Sequence, residues 1–102
     1  MSAHRVSLDD RILIHDHVIA RQLDGETVMV NLETGMYFGL DPIATRAWTL
    51  IGDHHRLGAV FDVMLAEYDV AAETLRADLL KLADQLVAKR LVLVAPAEAN
   101  LS

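Results

Sequence analysis

The stretch from Asn31 to Trp48 constrains the fold more than any other part of the chain, because a turn, a strand and a helix start follow one another within it. Glu33-Thr34-Gly35 is a turn, with glycine placed where a left-handed backbone is needed. Met36 to Leu40 is a short apolar strand. Asp41-Pro42 then starts a helix: the carboxylate caps free amides, and the fixed φ of proline suits the first helical position. A strand that runs straight into a capped helix can keep one edge open beside that helix.

Upstream, Val18 to Leu23 alternates apolar and polar residues, Asp24-Gly25 supplies a two-residue turn tolerant of positive φ, and Thr27 to Leu32 resumes the alternation. With Met36 to Leu40 these segments make a three-stranded antiparallel meander. Downstream, Ala44, Ala47, Trp48 and Ile51 share a helical face, and Gly52 is placed to end that helix. After a polar linker, Asp53-His54-His55-Arg56, a second helix carries Leu57, Val60, Phe61, Met64, Leu65 and Tyr68 at core-facing spacing. A third, Ala72 to Lys89, has Leu75, Leu79, Leu82 and Leu86 on one stripe, broadened by Leu80, Ala83 and Val87, so it must meet two surfaces. Leu91 to Val94 is a candidate short final strand. Residues 1 to about 10 read as a frayed terminus and Pro96 to Ser102 as a loose tail. The class is α+β: a three-stranded antiparallel sheet followed by three helices, of the winged helix-turn-helix type, in one domain over residues 1–102 with its core at about 12–94.

Composition narrows the function. A net charge of -6 and a sequence pI near 5.1 work against binding a polyanion, which needs clustered Lys and Arg. No run of about 18 uncharged apolar residues exists to span a membrane, and no secretory signal is visible, so the expected location is cytoplasmic. With 0 cysteines, disulfides, thiol catalysis and cysteine-ligated metals are excluded together. His15 and His17 could share a strand face, and His54 and His55 adjoin in a loop, but no spacing ties the pairs into a zinc site, and they read as exposed. Ser2, Ser7 and Ser102 lie near the termini, poor places to preorganise a nucleophile. Asp9-Asp10 carries no sign of burial, and no glycine-rich phosphate loop follows a strand. The expectation is a binding protein without catalysis, metal or cofactor.

Glu26 after the hairpin turn, Tyr37-Phe38-Gly39-Leu40 in the third strand, Trp48 in the first helix, Tyr68-Asp69-Val70 before the third, and Leu82 with Leu86 near its end form an ordered set. Over about Val18 to Val92 the chain resembles the PqqD family. Ala44 stands where a glycine is common among members, and Arg90 where the last helix usually ends in glycine. The resemblance implies a small winged-helix module that recognises the leader segment of a ribosomally made precursor peptide, as in quinone-cofactor and lasso-peptide pathways. Such a module presents the leader to a modifying enzyme, whether radical enzyme, protease or cyclase. The leader would lie as an added strand against the third strand and beside the third helix.

The residues themselves make that site physically reasonable. An edge strand exposes unpaired amides and carbonyls that an extended peptide can satisfy. The expected peptide-binding set is Met36, Tyr37, Phe38, Gly39 and Leu40 on the strand, with Gly39 allowing close backbone approach, and Leu75, Leu79 and Leu82 as an apolar wall. Asp78 or Gln85 would add a polar contact. Taken singly, each of those leucines is ordinary core, and Trp48 is a core anchor. An open edge also permits a homodimer. The alternative reading is a winged-helix DNA-binding regulator, in which Arg76, Lys81, Lys89 and Arg90 of the third helix are offset by Glu73, Asp78 and Asp84.

Overall fold

The structure, a computed structural model, describes residues 6–95. In chain order the elements are β1 (Arg11–Ile14), β2 (Val18–Leu23), β3 (Glu26–Asn31), β4 (Tyr37–Leu40), α1 (Pro42–His54), α2 (Leu57–Glu67), α3 (Ala72–Ala88) and β5 (Val92–Ala95). The strands form two antiparallel sheets, one of order β2-β3-β4 and one in which β1 pairs with β5. The meander and the three helices after it are those the sequence predicts; the second, two-stranded sheet adds to them.

Local chemistry accounts for the meander. Asp24 and Gly25 have φ of 54° and 82°, both positive, as a tight turn between right-twisted strands requires. This sets Leu23 opposite Glu26 and fixes the register through Val18 opposite Asn31. Thr27, Met29 and Asn31 of β3 are buried on the sheet face that also carries Phe38 and Leu40 of β4. Val28 and Tyr37 lie on the opposite face, 54% and 71% exposed. The buried hydroxyls of Thr27 and Thr45 share a 2.8 Å hydrogen bond that ties β3 to α1. Asp41 caps α1 as expected, its Oδ1 accepting the Ala44 N–H at 2.8 Å.

The core joins both sheets to all three helices through Ile12, Met29, Ile51, Leu57, Met64, Leu86 and Leu91, all fully buried. Trp48 is 7% exposed and belongs to this cluster, the anchor role expected of it. α3 packs on α2 and β5. It ends with Arg90 at φ 60°, where the Arg90 N–H donates to the Val87 carbonyl and the Leu91 N–H to the Leu86 carbonyl. That is the glycine-type helix stop, adopted here by an arginine.

Three readings need correction. Gly52 does not end α1; the helix runs to His54, and the His55 N–H closes it on the Ile51 carbonyl at 2.9 Å. The linker therefore shrinks to His55 and Arg56. The stretch before β1 is not frayed where it is described. Asp10 is 2% exposed, its Oδ2 accepts the Ser7 N–H at 3.0 Å, and its carbonyl accepts the Leu57 N–H at 3.0 Å, so burial at this carboxylate went unread. β1 itself exists because β5 and the α1–α2 corner supply its partners, with the Ile12 N–H donating to the His55 carbonyl at 2.7 Å. Residues 1–5 and the expected tail, 96–102, lie outside the described residues.

Candidate functional site

β4 pairs with β3 on one side only. Its hydrogen-bonding phase follows from one contact: the Asn31 N–H donates to the Met36 carbonyl at 2.9 Å. These two residues stand opposite each other in the register that pairs Val30 with Tyr37, so they form a bonded pair. Opposite residues in an antiparallel ladder alternate between bonded and non-bonded pairs. Phe38 and Leu40 therefore turn their main-chain groups toward β3, while Tyr37 and Gly39 turn N–H and C=O outward, where no described strand lies.

A groove of about 520 Å³ adjoins the end of this strand. Its apolar surface comes from Ile43, Ala44 and Ala47 of α1, Met64 of α2, Tyr68 and Val70 of the α2–α3 connection, and Leu75, Leu79 and Leu82 of α3. Asp41, Asp69, Asp78, Lys81 and Gln85 contribute the polar part of the lining. Asp41 follows Leu40 directly and lines the groove, and the Lys89 ammonium at the end of α3 stands 5.8 Å from the centre of the Phe38 ring. An open edge and an apolar trough side by side can take an extended chain, the edge binding its backbone and the trough its side chains.

The structure thus brings Leu75, Asp78, Leu79, Leu82 and Gln85 into one groove, with Tyr37, Phe38 and Gly39 on the neighbouring strand. Met36 lies just before β4 and is partly exposed. Leu40 is 4% exposed and points into the core, and its main-chain groups face β3, so it offers nothing to the open edge. Reasoning from sequence did not assign Ile43, Met64, Tyr68, Asp69, Val70, Lys81 or Lys89 to the site. The signal available was the break between the second and third helical stripes at Tyr68 to Val70, which any groove under α3 must include.

One ion pair clasps two of the helices that wall the groove. Arg46 of α1 grips Glu67 of α2 through two bonds, Nε to Oε1 at 3.0 Å and a terminal nitrogen to Oε2 at 2.6 Å. The hydrogen bond from Arg46 lowers the Glu67 carboxyl below the usual carboxylate range, and the same bond raises the guanidinium. The rings of His15 and His17 lie 5.1 Å apart, and His17 Nε2 is 3.8 Å from an exposed Glu33 carboxylate. Among the described residues no group of three or more His, Cys, Asp or Glu could hold a metal ion. No described helix is long and apolar enough to cross a membrane.

The chain is similar to known proteins in sequence and in fold. Residues 26–92 match the family model for coenzyme PQQ synthesis protein D (PqqD). Among solved structures, TbiB1 in complex with the TbiA(beta) leader peptide is 36% identical, superposes with a TM-score of 0.74, and is matched over 78% of this chain and 93% of its own. A lasso peptide synthetase B1 complexed with its leader peptide has a TM-score of 0.73 at 20% identity, over 81% of this chain and 98% of its own, and bears on the fold alone. Among curated proteins none matches.

Proposed function

The chain belongs to the PqqD family, and from that premise we propose that it binds the leader segment of a ribosomally made precursor peptide by strand addition to β4 and presents it to a modifying enzyme. The observation that carries this reading is the vacant edge of β4 beside the α1–α3 groove. Among the described residues β5 is the one strand that follows the helices, and it pairs with β1 and not with β4. The resemblance to TbiB1, whose structure contains a leader peptide, supports leader binding in particular.

The backbone groups of Tyr37 and Gly39 would hold the leader's main chain. The groove would hold side chains, each large apolar one contributing about 1.5–3 kcal/mol when fully buried. Such a protein needs no chemistry of its own, because holding an extended substrate at an enzyme's mouth raises its effective concentration there. The enzyme would be a radical enzyme, protease or cyclase acting where precursor peptides are made, in the cytoplasm. The DNA-binding alternative finds little support, since the groove lining sets Asp41, Asp69 and Asp78 against Lys81 alone.

The test is a titration of labelled protein with leaders from precursor peptides encoded beside its gene, followed by amide NMR and hydrogen exchange. Saturable shifts along α3, with new protection at Tyr37 and Gly39, are expected. Binding that leaves those two amides exchanging as in the free protein would exclude strand addition.

A further inference from the structure

The polar lining of the groove has a charge pattern that strand addition does not require. Asp69 and Asp78 are exposed groove residues, and among the described residues neither has a hydrogen-bonded or ionic partner. Asp41 spends one oxygen on the Ala44 amide but keeps its charge in the same lining. Against these three carboxylates the lining has one ammonium, Lys81, which forms no ion pair. The other basic group near the site, Lys89, stands at the opposite end of α3 over Phe38. The trough beneath is apolar, so a peptide seated in it offers a large apolar side chain to the floor and a further side chain to the acidic lining.

We propose that this acidic lining selects a cation: the bound segment carries Lys or Arg within two residues of its large apolar anchor, and Asp or Glu at that place is rejected. The spacing follows from the strand, in which residues two apart face the same side at about 7 Å. A long basic side chain can lay its stem along the apolar floor while its charge reaches Asp69 and Asp78. The inference rests on the strand-addition reading and names the chemistry of the peptide which that reading leaves open.

A random 12-residue display library selected against the full 102-residue chain tests it. Enriched peptides are expected to place Lys or Arg beside a large apolar residue and to protect Tyr37 and Gly39 from exchange. For a synthesised winner, Asp69→Asn with Asp78→Asn is expected to weaken binding about three- to tenfold at low salt, the range for two exposed charge contacts. Replacing the peptide's Lys by Gln is expected to cost a similar factor in wild type and little in the double variant, and added salt to shrink the difference. Winners that protect the edge but show no basic preference, or a double variant that binds them as wild type does, overturn the charge selection alone. If no enriched peptide protects the edge, strand addition itself fails and this inference falls with it.

Discussion

Asn31 shows how one buried side chain can hold a binding edge in place. Its Oδ1 accepts the Glu33 and Thr34 amides at 2.8 and 3.2 Å, shaping the turn into β4, and its Nδ2 donates to the Arg90 carbonyl at 2.6 Å. The side chain thus ties the β3–β4 turn to the end of α3, the two elements that flank the candidate site. Asn31 is fully buried, and Asn31→Ala leaves these part-buried groups without their partner. Each stranded group costs about 1–3 kcal/mol. Urea unfolding is expected to show at least one such loss; a variant within 0.5 kcal/mol of wild type would mean that solvent replaces the bonds. The turn itself was legible, because Gly35 marks a positive φ and the structure gives it 77°. The second half of Asn31's role was not, because Arg90 lies 59 residues further on and nothing local announces the contact.

Elements were legible where their own pattern sufficed. The 3.6-residue stripes of α2 and α3 and the Asp41-Pro42 start of α1 needed no partner to be read. β1 did, since Arg11-Ile-Leu-Ile14 is four residues long and becomes a strand only by pairing Arg11 with Ala95 across the whole chain. Gly52 misled because glycine stops helices only when its backbone turns left-handed, and here His55 takes that duty at φ 65°. Gly52 therefore lies inside α1, and a Cβ there would meet only Ile14 Cδ1, at 3.9 Å. Gly52→Ala is expected to raise stability by about 0.5–1 kcal/mol, the usual gain at a helix interior, and a lower melting temperature would contradict the helical placement. α1 and α2 are further clasped by Arg46 and Glu67. Because the Glu67 carboxyl titrates below its unfolded value, the clasp is fully present above the ordinary carboxylate range and is lost as pH falls through the depressed one. The stability gap between wild type and Glu67→Gln should accordingly be widest near neutrality and close on acidification. A gap that stays constant from pH 7 to pH 3 would show that the pair contributes through packing rather than charge.

At the scale of the whole molecule the decisive choice is where the last strand goes. Leu91 leaves α3 within reach of two sheets, and its carbonyl accepts the His15 N–H at 3.1 Å, committing β5 to β1 instead of β4. The vacancy beside β4 was readable from a third strand with one neighbour in the meander. The groove was not, because its walls come from α1, the α2–α3 connection and α3, which only packing brings together. If the vacancy is the binding site, blocking it must remove binding without harming the fold. Gly39→Pro makes that separation. The Gly39 N–H faces away from β3, so its loss breaks no bond in the sheet, whereas an incoming strand loses a donor and meets a ring. The variant is expected to keep the wild-type circular dichroism spectrum and bind a leader peptide at least about tenfold more weakly, the scale of one lost main-chain bond plus a steric clash. A homodimer formed through the same edge would dissociate in this variant and also when saturating leader is added to wild type, which sedimentation can follow. Leader affinity that survives Gly39→Pro in a folded protein would place the peptide elsewhere.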